Sequence, residues 1–273
     1  MPLTKGQIAA LETLAAARNP ESYVAGSTPL NRSHARISSD IDIFHDAEDR
    51  VAITAEQDAA TLKVAGFAIK WVRRTPGVQT LVADRDGESA RLEWVADSDF
   101  RFFPTVPDAQ FGYMLHPVDL ALNKASAAAG RRALRDIVDL VVVHETILPL
   151  GAVIWAAVEK APGFTPEAMI AEIRRNAQYP AEEWRRLASA TPIDSSATLS
   201  KLRAALDEAE AFAVAMPTDK LGLLFIDGGK VVQPAPARLD QYTAHSGLRR
   251  GHWPSSPEIA AAMMAAYAVE KPS

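Results

Sequence analysis

Residues 23–44, YVAGSTPLNRSHARISSDIDIF, carry the strongest structural signal in the chain. A short apolar run is followed by Gly26 and Ser27, which predicts a buried strand that ends in a turn. At the other end of the stretch polar and apolar residues alternate, which predicts a second strand. On that strand Asp40 and Asp42 share one face, whereas the isoleucines that follow each of them point into the core.

The aspartate pair and the turn have complementary chemistry. Two carboxylates on one strand face repel each other, so a cation should compensate them, and hard oxygen ligands suit Mg²⁺ or Mn²⁺. A Gly26-Ser27 turn that opens a helix offers free backbone N–H groups to a phosphate, and glycine permits its close approach. The combination predicts metal-assisted phosphoryl or nucleotidyl transfer. The alternative is an ordinary strand whose Asp-x-Asp face is exposed to water.

The surrounding sequence predicts a mixed α/β fold. A helix is expected at 48–65, and strands joined by hairpin turns are expected at 67–73, 78–84 and 90–97. Pro104 and Pro107 predict an irregular connection. Further helices are predicted at 117–129, 132–146, 166–176, 181–190, 198–212 and 257–269, and a β-hairpin at 222–233. We therefore predict an α/β (α+β) protein with a small mixed β-sheet domain, residues 1–105, and a mainly helical C-terminal domain, residues 106–273.

Composition excludes several classes of protein. The chain has 273 residues, 48% of them apolar, and a net charge of −5, which argues against a protein that coats nucleic acid nonspecifically. It has no cysteine, which excludes disulfides and cysteine-based zinc sites, and His45 is expected in a loop rather than as a ligand. Residues 1–11 lack signal-peptide features, and the longest apolar run, 148–158, is too short for a bilayer. A cytoplasmic protein without a membrane partner is expected.

A second group of charged residues begins at Lys124. Arg131 and Arg135 follow at intervals of seven and four residues, so the three would form one basic stripe facing a triphosphate if a single continuous helix carried them. Asp136 and Asp139 are three apart, on nearly one face of the predicted helix. The alternative is a set of surface ion pairs between residues four apart, each worth ~0.3–0.5 kcal/mol.

Both groups resemble motifs of a known superfamily. In residues 23–44 the turn and the first aspartate are separated by twelve residues, and this arrangement resembles the DNA-polymerase-β-like nucleotidyltransferases. The charged positions of residues 124–140 resemble the Lys…Arg…Arg-Asp-x-x-Asp motif of the AbiEii/AbiGii-type nucleotidyltransferases. These are toxin components of bacterial toxin–antitoxin and abortive infection systems, and the MenT toxins are relatives.

The resemblance implies a nucleotidyltransferase fold in which the helical domain completes the active-site cleft. Asp40 and Asp42 would hold Mg²⁺ or Mn²⁺ ions that bridge the triphosphate. Gly26 and Ser27 would hold the β- and γ-phosphates of a nucleoside triphosphate, whose base (as in ATP, CTP or GTP) no motif identifies. The basic groups that would neutralise the triphosphate are Lys124, Arg131 and Arg135.

Members of the superfamily usually have a third carboxylate on a later strand, which acts as a base or a metal ligand. Glu93 is our choice for this third acid. Asp97 and Asp99 are alternatives on the same segment. Asp136 could share or replace the task of activating the acceptor hydroxyl.

The resemblance also suggests an acceptor and a biological role. The acceptor would be the 3′ end of tRNA or another RNA, and the outcome would be growth arrest, with a cognate antitoxin as a partner. One alternative is the same chemistry on a small molecule or a protein side chain. Another is a non-catalytic module that binds nucleotides.

Overall fold

The computed structural model describes residues 3–97 and 100–249. The helices are α1 (Lys5–Leu14), α2 (Ser27–Leu30), α3 (Glu48–Val64), α4 (Pro117–Gly130), α5 (Leu134–Thr146), α6 (Leu150–Lys160), α7 (Pro166–Asn176), α8 (Ala181–Arg186) and α9 (Ser195–Ala215). The strands are β1 (Ser22–Ala25), β2 (Ile41–His45), β3 (Ala68–Thr75), β4 (Val78–Arg85), β5 (Glu88–Ala96), β6 (Phe100–Arg101), β7 (Val106–Asp108), β8 (Gly112–Met114), β9 (Leu224–Asp227), β10 (Lys230–Val232), β11 (Thr243–His245) and β12 (Leu248–Arg249). Short 3-10 turns are Ala15–Ala17, Thr218–Lys220 and Pro236–Gln241.

The described chain divides into two units. The first contains residues 3–97 and Pro104–His116, and the second contains Phe100–Phe103 and residues 117–249. A seven-stranded sheet lies in the first unit, and helices α4 to α9 lie in the second. The predicted class, a mixed α/β protein with a mixed sheet followed by a mainly helical part, is confirmed.

The sheet of the first unit has the strand order β3-β4-β5-β2-β1-β8-β7. The pairs β2/β5 and β1/β8 are parallel and the other pairs are antiparallel, so the sheet is mixed. Helices α1 and α3 pack against β4 and β5. Ile41 and Ile43, the apolar half of the alternating stretch, are buried in this core beside Leu92 and Trp94. The predicted alternation on the second strand is therefore confirmed.

Two local signals explain how the chain turns between these elements. The β4–β5 hairpin turns through Asp86 (φ +55°) and Gly87 (φ +78°), the pair of positive φ angles that a tight hairpin of this hand requires. Helix α3 ends at Val64, and Gly66 (φ +88°) takes the chain into β3. The hairpin turn was predicted from the sequence, and so was a helix that ends just before Gly66.

A buried ion pair fixes α3 against the sheet. Both carboxylate oxygens of Asp58 lie 2.5 Å from Arg18 Nη2, and Trp94 Nε1 donates to Asp58 at 2.7 Å. Arg18 also donates to Ser22 Oγ at 2.9 Å. Burial is the largest influence on Asp58 and raises its pKa, while the nearby Arg18 charge and the hydrogen bonds oppose this rise. The network links the end of the first helical segment, α3, β1 and β5.

The second unit is organised around α4, which packs against α5, α6 and α7. Helix α9 packs against the same three helices, and β9 forms the centre of a small sheet with β10 and β11. Asp119 at the start of α4 is fully buried and accepts hydrogen bonds from the backbone N–H groups of Phe102 and Phe103, both at 2.9 Å. Burial raises the pKa of Asp119 to about 6. These two phenylalanines are core residues of this unit.

Several elements differ from the prediction. Helix α6 was not predicted, because the run at 148–158 is apolar on every side and has no helical period; the structure buries this helix on all sides. Within 100–116 an irregular connection was expected, yet β6, β7 and β8 form, each of two or three residues. The predicted helix at 257–269 lies outside the described residues. Among the described residues no single helix is long and apolar enough to cross a membrane.

Candidate active site

The turn after β1 has the predicted form. Strand β1 ends at Ala25, Gly26 has φ +67° and ψ −136°, and α2 begins at Ser27. Residue 26 excludes a side chain for two reasons. Its φ lies in the region that favours glycine, and a Cβ there would overlap the carboxylate of Asp42. Glycine therefore allows the backbone of the turn to lie directly against this carboxylate.

Asp42 and Glu93 lie next to each other on parallel strands. Residue 42 of β2 pairs with residue 93 of β5 on one side and with Ala25 of β1 on the other. Both side chains are half-buried, and Glu93 accepts a hydrogen bond from Thr80 Oγ1 at 3.0 Å. The structure thus places Asp42 between Glu93 on β5 and the end of β1, which Gly26 directly follows.

Asp40 directly precedes β2 and faces an arginine. Its Oδ1 lies 3.0 Å from Arg91 Nε, and Oε2 of Glu93 lies 4.0 Å from Arg91 Nη2. Ser39 also donates to Asp40 Oδ2 at 2.9 Å. The guanidinium of Arg91 therefore compensates the negative charge of Asp40. Arg91 was not predicted as a site residue, although it lies on the same face of β5 as Glu93.

Hydrogen bonds hold the loop before β2 in place. The hydroxyl groups of Thr28 and Ser38 both donate to the backbone carbonyl of Asp40, at 2.9 and 2.8 Å. Gln7 of α1 donates to the carbonyl of Ser38 at 2.8 Å. Because Thr28 belongs to α2, these bonds fix the distance between the turn and the first aspartate.

The carboxylates of this site are of the kind that suits a hard divalent cation. Asp42 and Glu93 lie on paired positions, Asp40 lies two residues before Asp42, and Mg²⁺ is usually bound by one or two carboxylates together with substrate phosphates. Within residues 3–97 and 100–249, however, no three His, Asp or Glu side chains are close enough to hold a metal ion by themselves.

The second predicted group forms a buried network in the second unit. Lys124 Nζ lies 2.6 Å from Asp139 Oδ2 and 3.8 Å from Asp136 Oδ1, and Arg131 Nε lies 2.7 Å from Asp136 Oδ2. Both aspartate side chains are completely buried, and the side chain of Lys124 is 7% exposed. Arg135 is exposed on α5. The structure therefore brings Lys124, Arg131 and Asp136 together with Asp139.

The condition for one continuous basic stripe is not met. Two helices were predicted, at 117–129 and 132–146, and in the structure α4 ends at Gly130 and α5 begins at Leu134. The ion pairs of the network also join α4 and the connection after it to α5, rather than residues four apart on one helix. Here Lys124 and Arg131 neutralise buried carboxylates, and their contact with a triphosphate stays a prediction.

Three other positions have separate outcomes. Asp97 follows β5, with Oδ2 at 3.5 Å from the hydroxyl of Tyr23, and Asp99 lies outside the described residues. His45 was expected in a loop, but it is the last residue of β2 and is 1% exposed. The loop prediction is wrong because the pairing of His45 with Ser22 on β1 extends the strand.

Comparisons with known proteins give little further guidance. No family model matches the sequence, and no curated protein matches it. A solved structure of Cid1, described as having RNA terminal uridylyl transferase activity, resembles this chain with 14% identity and a TM-score of 0.28. The match covers 89% of this chain and 71% of that chain. A resemblance at this TM-score carries no argument about fold or activity.

Proposed function

We propose that this protein is a metal-dependent nucleotidyltransferase, which moves a nucleoside monophosphate from a nucleoside triphosphate to an acceptor hydroxyl. One observation carries the proposal. Asp42 and Glu93 are paired on neighbouring parallel strands, and the glycine turn at the end of β1 lies directly against Asp42. Carboxylates beside a turn with a closely approachable backbone are the groups that metal-assisted transfer of a phosphoryl group needs.

The first unit would supply most of the chemistry. Gly26 and Ser27 would bind the β- and γ-phosphates through the backbone and the hydroxyl of the turn. Asp40 and Asp42 would hold Mg²⁺ or Mn²⁺, which would neutralise the triphosphate and help to orient it. Arg91 is 41% exposed, so it can turn from Asp40 towards a phosphate when a cation takes its place.

The transfer step needs one general base to accept the proton of the acceptor hydroxyl. The acceptor oxygen forms a bond to the α-phosphorus, the bond from this phosphorus to the bridging oxygen breaks, and pyrophosphate leaves with that electron pair. Glu93 would accept the proton of the acceptor hydroxyl, because it is the carboxylate paired with Asp42. Asp136 could share this task after release from its two cations.

The second unit would bind the rest of the substrates. Lys124, Arg131 and Arg135 would neutralise negative charge on the triphosphate. The motif resemblance supports the 3′ end of tRNA, or another RNA, as the acceptor. It also supports a role as the toxin of a toxin–antitoxin pair, with growth arrest as the outcome and an antitoxin as a partner.

The experiment is a transfer assay with the purified protein. Each labelled nucleoside triphosphate is incubated with Mg²⁺ and with total RNA, protein or small metabolites, and we expect label to enter RNA. Asp42→Asn should abolish transfer. Asp86→Asn, a matched change in the exposed β4–β5 turn, should retain it. Equal transfer by both variants, or none by the unaltered protein with any acceptor class, would contradict the proposal.

A second candidate is a nucleotide-binding module that catalyses no transfer. It is favoured by the network in which carboxylates already neutralise Lys124 and Arg131. A thermal shift with nucleotide and Mg²⁺ in the absence of any transfer would support this alternative. Growth arrest on expression of the Asp42→Asn protein would contradict an enzymatic toxin.

A further inference from the structure

A polar cavity lies at the end of β2 that is remote from the candidate active site. It has a volume of about 210 Å³, and the residues that line it are Asn19, Glu21, Ser22, His45, Ala47, Arg50 and Thr54. All but Ala47 carry a polar or charged side chain. Since liquid water occupies roughly 30 Å³ per molecule, the space suits a small polar molecule rather than a nucleotide.

His45 lines this cavity and has a buried ring nitrogen without a hydrogen-bond partner among the described residues. Its side chain is 1% exposed, and this nitrogen is Nε2. Burial and the charges of Arg18 and Arg50 lower the pKa of His45 to about 4, so the ring is neutral at pH 7. A buried ring nitrogen without a partner is unfavourable, and a ligand in the cavity that bonds to it would remove this cost.

Two other residues that line the cavity carry hydrogen-bond donors. Ser22 Oγ already accepts a bond from Arg18, so its hydroxyl proton is available to a ligand. The side-chain oxygen of Asn19 accepts from the backbone N–H of Glu21 at 2.9 Å, which leaves the NH₂ group as the donor of that side chain. The lining therefore offers more donors than acceptors.

The charged residues near the cavity also favour an anionic ligand. Arg50 is close enough to His45 to lower its pKa, whereas the charge of Arg18 is matched by Asp58. Glu21 is the acidic residue of the lining, and it is exposed at the rim. A ligand beside Arg50 and the imidazole would meet a guanidinium and neutral donors.

We propose that this cavity is a binding site for a small oxyanion, a phosphate or a carboxylate, held by Arg50, Ser22 and the Nε2–H group of His45. His45 is three residues beyond Asp42 on β2, a distance of roughly 10 Å along the strand. The site is therefore separate from the proposed nucleotidyltransferase centre, and it does not depend on that function.

The test follows the His45 ring in the full-length protein by ¹⁵N NMR, with the resonance assigned by its loss in His45→Gln. Titration with inorganic phosphate and with acetate should give a saturable shift of a protonated Nε2. The anion that binds more tightly shows whether the site prefers a phosphate or a carboxylate. Arg50→Gln should weaken binding by about 10- to 100-fold, since it removes a charge-assisted hydrogen bond.

Two matched variants control for general charge. Glu21→Gln should retain or strengthen binding because it removes the acidic group at the rim. Arg73→Gln, a change of an exposed arginine on β3, should leave the affinity unchanged. The proposal is overturned if neither anion shifts the ring, if Arg50→Gln and Arg73→Gln behave alike, or if His45 carries its proton on Nδ1 with either anion bound.

Discussion

At the scale of single residues, Gly26 has the most demanding position in the candidate site. Its positive φ and its contact with Asp42 both require the absence of a side chain. The sequence could identify this glycine because it lies between an apolar run and a helix start, which are local signals. It could not show that the carboxylate touching it is Asp42, since that contact depends on the pairing of β1 with β2.

We expect Gly26→Ala to lower the free energy of unfolding and to reduce transfer by displacing Asp42. A positive φ alone costs a non-glycine residue about 1–3 kcal/mol. Gly87→Ala is a matched control, because Gly87 also has a positive φ but no atom within 4 Å of its Cβ position. Urea unfolding should show a larger loss for Gly26→Ala, and equal losses would contradict the overlap.

His45 should make stability depend on pH. Its pKa is about 4 in the folded protein and 6.5 in an unfolded chain, so between these values the unfolded state binds more protons. Stability is therefore lost as pH falls from 6.5 towards 4, by about 3 kcal/mol at most. Urea unfolding of the protein and of His45→Gln across this range should give different slopes, and parallel pH profiles would contradict a buried, neutral His45.

At the scale of elements, local patterns predicted more than nonlocal ones. Helix α3 and the β4–β5 hairpin have their own start and stop residues, and both were predicted. The parallel pairing of β2 with β5 was not predicted, because the two strands are separated in the sequence by a helix and a hairpin. The sequence predicted which face of its strand Glu93 occupies, but it could not predict that Glu93 lies beside Asp42.

Helices α4 and α5 are joined by the buried network of Lys124, Arg131, Asp136 and Asp139, and this has a measurable consequence. Lys124→Met should destabilise the protein by about 3–5 kcal/mol, because it leaves the buried Asp139 without its cation. Arg135→Gln, on the exposed side of α5, should change stability by less than about 0.5 kcal/mol. Denaturant unfolding measures both, and an unchanged midpoint for Lys124→Met would show that the ion pair is not structural.

At the scale of the whole molecule, the chain passes between the units more than once. Phe100–Phe103 belong to the second unit, and Pro104–His116 return to the first, where β8 pairs with β1. The strands of this segment were not predicted, because its prolines are typical of an irregular connection and strands of three residues are too short to show a period of two. A single boundary near residue 105 therefore describes neither unit completely.

A pair of fragments tests this arrangement. Residues 1–116 should unfold cooperatively in urea, whereas residues 1–103 should not, because they lack β7 and β8. Residues 104–116 bury Val106, Phe111, Met114 and Leu115, each worth about 1.5–3 kcal/mol. This sum is comparable to the whole stability of a small domain. Identical unfolding of the two fragments would contradict an integral role for this segment.

The return of the chain at Pro104–His116 also constrains events on the ribosome. Synthesis delivers β1 and β2 early, but β8, which borders β1 on its other side, follows only after more than sixty further residues have been added. Until then the nascent sheet has an open edge, available to chaperones and to neighbouring polypeptides. A nascent chain that ends before residue 112 therefore exposes an edge of β1 that β8 covers in the complete protein.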